Sequence, residues 1–285
     1  MSKKYTRTTL LAIVFVLMGF FKGQAQENPE EIQRYEGYTP IAWFYNKFWS
    51  KPLADVAVQN LNKILIPKLK PGAKILDLMC GNGHVTQALK KRGYKLTGLD
   101  GSDGMLKFAQ QNAPGVPFIL EDARTFDMKN EFDAVICMND GLNHILEYKE
   151  LVMAARKVYA SVKKGGYFVF DVNLESRYKT ILNGDVKGVQ DSSYAFIYNY
   201  RYNVASRLAD IQFNIFIPGA PPNEGVYESW KRVDVNIAQY CYPHIKIIEA
   251  LETVGFTVLK TYDGYEDLKS GGYNKGRRYY VCQKK

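Results

Sequence analysis

Cysteine and histidine are scarce in this chain, and their scarcity excludes two classes of site. Cys80, Cys137, Cys241 and Cys282 are the four cysteines, and no two have C-x-x-C spacing. That pattern gives neither a disulfide framework nor a zinc knuckle. His84, His144 and His244 are the three histidines. They lack metal-ligand spacing, so no metal is expected. Long basic runs are also missing. The net charge is +9, but Lys3, Lys4, Arg7 and Lys22 lie in the first 25 residues, where there is no acid. The rest carries +5, a mild excess that reads as a solvated surface, and no nucleic-acid partner is expected. There is no internal repeat and no low-complexity stretch.

What is present fits a globular protein. Apolar residues make up 46% and charged residues 24% of the 285 positions, enough for one large domain or a domain with an insert. Tyrosine is abundant at 21, and its amphipathic ring can line a pocket or fill a core.

Residues 1–25 have a basic start, an uncharged run from Leu10 to Phe21, and small residues at Gly23 and Ala25. This is the layout of a secretory signal peptide cleaved after Ala25, which predicts an exported or cell-envelope protein. A membrane anchor is disfavoured because a spanning helix needs about 20 apolar residues. An upstream start that is not used, with Met18 as the alternative, is the third reading. Residues 26–40 read as a polar linker and 41–285 as the folded domain. No membrane contact is expected beyond the N-terminal segment.

Apolar residues at Ile41, Phe44, Tyr45 and Phe48, and at Leu61, Ile64 and Leu65, have helical spacing. Strands and helices then alternate. "KILDLM", "KLTGLD", "VPFILED", "FDAVICM" and "YFVFDVN" are strands, and "HVTQALKKRG", "SDGMLKFAQQNA" and "YKELVMAARKVYASVKKGG" are helices. Ser102 is placed to cap the second helix, and Gly165–Gly166 to stop the third. Strands this apolar predict a parallel sheet covered on both faces, an α/β doubly wound architecture. From about 177 to 240 the period changes to two. Tyr194, Phe196, Tyr198, Tyr200, Tyr202 and Val204 share a face, as do Ile211, Phe213, Ile215 and Ile217, and later Val233, Val235 and Ile237. Three such strands predict an antiparallel insert. The α/β pattern then returns to the C-terminus.

The stretch "ILDLMCGNGHVTQAL" is a strand, a glycine turn and a helix. Gly81 and Gly83 allow a tight turn and close approach of a ligand to the backbone. No Lys-Ser or Lys-Thr pair follows, which excludes a phosphate-binding P-loop. The dinucleotide fingerprint would place a third glycine at Thr86, so a nicotinamide cofactor is disfavoured. Asp77 closes the first strand, Asp100 the second, and Asp122 follows the third. In a parallel sheet these ends line one crevice, where a carboxylate can accept from ribose hydroxyls.

With "FILEDARTF", "EFDAVICMNDGLNHI" and "VKKGGYFVFDVN", this stretch resembles the class I S-adenosylmethionine-dependent methyltransferases of small-molecule type, over roughly 41–285. The resemblance implies a Rossmann-like sheet of seven strands with S-adenosyl-L-methionine as cofactor. It implies that Asp77, Cys80, Gly81 and Gly83 hold the methionine end and Asp100 the ribose. It assigns Asp122 and Ala123 to the adenine edge, Met105 to the adenine face, and Met138 and Asn139 to the neighbourhood of the sulfonium. "YTPIAWFYNKFW" resembles the family's N-terminal helical lid, with Tyr45-Asn46 where Tyr-Asp is usual. The β-rich insert resembles that of sugar-amine and glycine N-methyltransferases. "MNDGLN" in place of Asn-Pro-Pro-Tyr argues against nucleobase or glutamine-amide nitrogen as acceptor.

The resemblance predicts methyl transfer to an N or O nucleophile of a small molecule. His144 is a candidate base, with a surface or helix-capping role as the alternative. Tyr45, with Trp49 and the Tyr194–Tyr202 face, is a candidate for the acceptor pocket; sheet packing is the other reading of that stripe. A non-catalytic binding protein and a nicotinamide oxidoreductase are the rival functions. Because S-adenosylmethionine is made in the cytosol, cofactor supply favours a cytoplasmic location over export. Oligomeric state is not legible.

Overall fold

The computed structural model describes residues 36–182, 187–191, 194–219 and 229–285. The signal-like segment and most of the expected linker lie outside the described residues.

A seven-stranded sheet organises the domain. Its strands are β1 (Lys74–Leu78), β2 (Lys95–Asp100), β3 (Phe118–Leu120), β4 (Phe132–Cys137), β5 (Val162–Asn173), β10 (Phe256–Asp263) and β11 (Arg277–Lys284). Between β5 and β10 the chain forms β6 (Lys187–Asp191), β7 (Tyr194–Asn203), β8 (Leu208–Pro218) and β9 (Trp230–Tyr240). The main-sheet order is β10-β11-β5-β4-β1-β2-β3, and only β11 runs against its neighbours. The helices are α1 (Ala42–Phe48), α2 (Ser50–Ile64), α3 (His84–Lys90), α4 (Asp103–Asn112), α5 (Tyr148–Ser161), the single turn α6 (Glu175–Arg177) and α7 (His244–Thr253).

The strands are apolar on both sides because both sides are covered. Ile75, Ala134, Ile136, Val169 and Val281 pack against Ala57, Leu61, Val85 and Leu89 of α2 and α3. Their neighbours in sequence, Leu76, Val135, Phe168, Phe170 and Cys282, pack against Leu151, Val158, Ile247 and Leu251 of α5 and α7. The alternation follows from the two-residue period of a strand. β1 lies between β2 and β4, so the chain reverses its direction of winding there. The carboxyl ends of β1 and β4 flank the resulting crevice.

Two expectations shift. α5 stops at Ser161 and not at Gly165–Gly166. Val162 is fully buried and pairs with Phe132, and its β-branched side chain fits an extended backbone better than a helix end. The insert has four strands, not three, in the order β6-β7-β8-β9. β6 ("KGVQD") carries no apolar alternation and is defined by its pairing to β7. Tyr194 and Phe196 do pack into a core, against Phe44 of α1 and Ile211, Phe213, Val235 and Ile237 of the sheet. Val204 lies past the end of β7 and is exposed.

The lid also starts before the boundary expected at residue 41. Thr39–Ile41 forms a 3-10 turn leading into α1. Thr39 Oγ1 meets Ser102 Oγ at 2.8 Å and donates to Asp103 at 3.2 Å. A Cβ on Gly104 would lie 2.8 Å from the Thr39 carbonyl, so α4 must carry glycine for the lid to seat. Among the described residues no helix is long and apolar enough to cross a membrane.

Candidate active site

The carboxyl ends of the strands, the lid and the loop after β4 enclose a cleft of about 1090 Å³ including its mouth. Every residue assigned above to cofactor or catalysis lines it except Gly83. Gly83 instead caps α3 with φ +75°, and a Cβ there would sit 3.1 Å from Ala109 and 3.3 Å from Phe118. Its glycine serves the packing of α3 on α4. Gly81 differs. It has φ +55°, it lines the cleft, and a Cβ built on it meets no protein atom within 4 Å, so its open side faces ligand space.

Asp100 ties the ends of β1 and β2 together. Its Oδ2 accepts from the Gly81 N–H at 2.7 Å and its Oδ1 from the Ser102 N–H at 2.9 Å. Burial raises its pKa to about 6, against the pull of those two bonds. Ser102 caps α4 as expected, its hydroxyl accepting from the Met105 N–H at 3.2 Å. Asp77 is buried and accepts from Thr86 Oγ1 at 2.5 Å. Burial pushes its pKa to about 7, more than this bond lowers it. Thr86 thus has a definite task where a dinucleotide site would have glycine: it anchors the acid that closes β1. Cys80 is half-buried on the cleft wall, and its N–H donates to the Leu99 carbonyl at 3.0 Å.

At the far end, Asp122 is gripped by Arg124. The Arg124 Nε and backbone N–H both donate to Oδ1 at 2.8 Å, and Nη2 donates to Oδ2 at 2.9 Å. Glu150 of α5 holds the other side of the guanidinium at 2.8 Å. Met105 and Ala123 are buried beside Asp122 on the cleft wall. The three carboxylates, the open glycine and the apolar side chains form one continuous surface. Its carboxyl groups accept hydrogen bonds, which suits a ligand with hydroxyl, amino or cationic groups better than a phosphate.

Met138 and Asn139 leave β4 at the cleft's centre. Asn139 and Asp140 both have left-handed backbones, φ +61° and +56°. Two consecutive non-glycine residues in this region are costly and need outside support. Asp171 of β5 supplies it, accepting from the Asn139 N–H at 2.7 Å and the Asp140 N–H at 3.1 Å. Arg277 of β11 donates to both Asp171 and Asp140.

His144 is half-buried on the cleft wall, not superficial. Its Nδ1 lies 3.2 Å from the Ala238 carbonyl of β9. Its Nε2 lies 3.2 Å from Tyr38 Oη and 3.1 Å from Gln239 Nε2. Burial lowers its pKa, so the ring is neutral near pH 7. Tyr45 faces the same cleft, and burial followed by the charge of Asp140 pushes its phenol up. It is a hydrogen-bond donor and not a phenolate base. Trp49 packs on Phe196, Tyr198 and Phe213, so it is core. Among the described residues no group of three His, Cys, Asp or Glu side chains is gathered to hold a metal.

Three contributors stand outside the expected site residues. Tyr38 was assigned to the linker. Asn46, in place of the family's acid, keeps an acceptor: its Oδ1 takes hydrogen bonds from Asn82 at 2.9 Å and Asn112 at 2.8 Å, tying the lid to the glycine loop. Gln239 joins His144 to Asp140 from the opposite side.

The family profile described as a methyltransferase domain matches residues 75–166, the segment carrying β1 to β4 and the glycine loop. A Geobacillus protein provisionally designated a methyltransferase is 26% identical over 252 residues, covering 87% of this chain and 99% of its own length. Residues 75–166 match the methyltransferase domain, and along most of its length the chain is similar to proteins designated methyltransferases. It is a methyltransferase whose cofactor is S-adenosylmethionine and not a nicotinamide dinucleotide. In fold, this methyltransferase is similar to an S-adenosylmethionine-dependent methyltransferase from Clostridium acetobutylicum (TM-score 0.67, 21% identity, 87% of this chain and 98% of that one). It is also similar to the sugar N-methyltransferase KedS8 of a Streptoalloteichus species (TM-score 0.68, 18% identity, 88% of this chain and 95% of that one).

Proposed function

We propose that this methyltransferase acts on a nitrogen or oxygen nucleophile of a small molecule, bound between the lid and the insert. The observation that carries the reading is the single cleft that joins the strand-end carboxylates to Tyr38, Tyr45 and His144. In this reading Asp77, Cys80 and Gly81 receive the methionine portion of the cofactor. Asp100 accepts from the ribose, Asp122 and Ala123 meet the adenine edge, and Met105 covers its face. Met138 and Asn139 flank the methyl.

S-adenosylmethionine supplies the methyl already activated on sulfur. The chain contributes placement and a dry site. The lid and β9 close over the loop after β4, so an acceptor is held between two rigid elements. A neutral His144, with Nε2 as acceptor and Tyr38 Oη 3.2 Å away, can take up the proton that the acceptor releases. Tyr45, kept protonated, donates to the acceptor and does not compete as a base. The likeness in fold to a sugar N-methyltransferase, over 88% of this chain, supports an amine-bearing acceptor in particular.

The test is a panel of small amines, amino sugars and phenols incubated with S-adenosylmethionine and followed by formation of S-adenosylhomocysteine. Turnover with at least one member, lost in Tyr38→Phe/His144→Ala, is the expected result. Turnover confined to protein or nucleic-acid acceptors would contradict the small-molecule reading.

A further inference from the structure

Among the described residues, the contacts of Gln239 and of the Ala238 carbonyl specify a hydrogen-bonding pattern for His144. Arg277 donates to both Asp140 and Asp171, so Asp140 is held as a carboxylate that can only accept. Asp140 Oδ2 lies 2.6 Å from the amide nitrogen of Gln239, which must therefore be the –NH₂ end. The other end, Oε1, then faces Tyr178 Oη at 2.8 Å, and Tyr178 must donate. Tyr178 and Gln239 are both buried, so no solvent offers another partner. The second proton of the Gln239 –NH₂ points at His144 Nε2, 3.1 Å away. A lone pair must receive it. The opposite nitrogen, Nδ1, faces the Ala238 carbonyl at 3.2 Å, which can only accept. The imidazole is thus specified from both sides.

We infer that Gln239 is a positioning residue of the methyltransferase: clamped by Tyr178 and Asp140, its amide fixes His144 as the neutral Nδ1–H tautomer, with the Nε2 lone pair turned to the side where Tyr38 lies. The role of His144 in proton uptake rests on the proposed function, but its tautomer does not. The groups facing the ring are Tyr38 from the lid, Asp140 from its own loop with Arg277 behind it, and Gln239 with the Ala238 carbonyl from β9. Asp140 would by itself favour an imidazolium, and burial opposes it. The Gln239 donor adds to burial in keeping the resting ring neutral, and a proton taken up by Nε2 displaces the Gln239 N–H from it. The insert therefore reaches the cleft through His144. It sets the proton inventory of the acceptor end.

Three histidines make the test direct, since their imidazole signals can be followed by 15N and 13C NMR on the whole protein without any acceptor. His144 is assigned by the signal missing from His144→Asn. In the unaltered protein, His144 should show a protonated Nδ1 and an unprotonated Nε2 at pH 7. Gln239→Glu removes the donor and brings a second carboxyl group next to Asp140. The His144 midpoint should then rise by at least about one pH unit, as expected when a carboxylate replaces a donor beside the ring. Tyr178→Phe frees the amide to turn, and should give a smaller rise or a mixture of tautomers. A protonated Nε2 in the unaltered protein would overturn the inference, and that reading needs no variant to fold. So would folded Gln239→Glu or Tyr178→Phe protein, checked by circular dichroism, with unchanged His144 tautomer and midpoint. Failure of the acceptor panel alongside the expected His144 signals would count against the proposed function alone.

Discussion

Asp77 and Asp100 each place a carboxyl group in a buried wall of the cleft, and each keeps it near the neutral range. For Asp77 the sign of the effect on stability follows from its pKa of about 7, above the ordinary value of 3.8. Between those limits the unfolded chain is ionised and the folded one is not, so folding loses stability as pH rises from about 4 to 7 and is level beyond. Asp77→Asn should therefore stabilise the free protein by roughly 2–4 kcal/mol at pH 8 and by little at pH 4. Thermal melts of both proteins across that range check it; a pH-independent difference would count against it. The same carboxylates give affinity its pH dependence. S-adenosylmethionine is cationic at sulfur, so its binding should weaken as pH falls from 8 to 5 and Asp77 and Asp100 take up protons. Titration calorimetry reads this, and Asp100→Asn should flatten the curve. Gly81→Val should abolish binding, because a β-branched residue resists φ +55° and its side chain would occupy the open face of the loop.

At the scale of elements, the lid is held by backbone proximity as much as by side chains. Gly104→Ala puts a methyl 2.8 Å from the Thr39 carbonyl while leaving every cleft carboxylate in place. The lid should lift. Faster amide exchange over residues 36–50 and roughly tenfold weaker cofactor binding are expected, whereas unchanged exchange would mean that the lid does not seat on α4. How far this was legible follows from sequence distance. Asp77, Gly81 and Asp100 announce themselves because strand ends and a glycine turn are local patterns that the parallel sheet brings into register. Tyr38 opens the lid stretch but falls inside the expected linker, and its task emerges from its contact with His144, 106 positions on. Gln239 alternates correctly within β9 and reads as sheet packing. Its meaning depends on Asp140 and Tyr178, which no spacing rule connects. Arg277 was hidden in the same way, inside the terminal strand pattern "RRYYVCQKK". Thr86 was visible, but was read for what it is not. The fold and the carboxylate end of the cleft were thus written locally, while the His144 end is assembled from five distant segments.

At the scale of the whole molecule, the described residues of the cleft lie between Tyr38 and Ile145. A chain beginning at Gln26 should fold and bind S-adenosylmethionine as the full chain does. We propose that residues 1–25 act as a targeting segment; N-terminal sequencing of the native protein should find Gln26, and an intact Met1 would reverse that reading. The central claim is that S-adenosylmethionine occupies the cleft between the lid and the carboxyl ends of β1 to β4. Calorimetric titration of the full chain with S-adenosylmethionine, beside Asp100→Ala, tests it most directly. Single-site binding is expected in the unaltered protein. It should be about 30- to 150-fold weaker in the variant, the scale of roughly 2–3 kcal/mol for hydrogen bonds to a charged group. Equal affinity in the two proteins, or no binding to either, would contradict the claim.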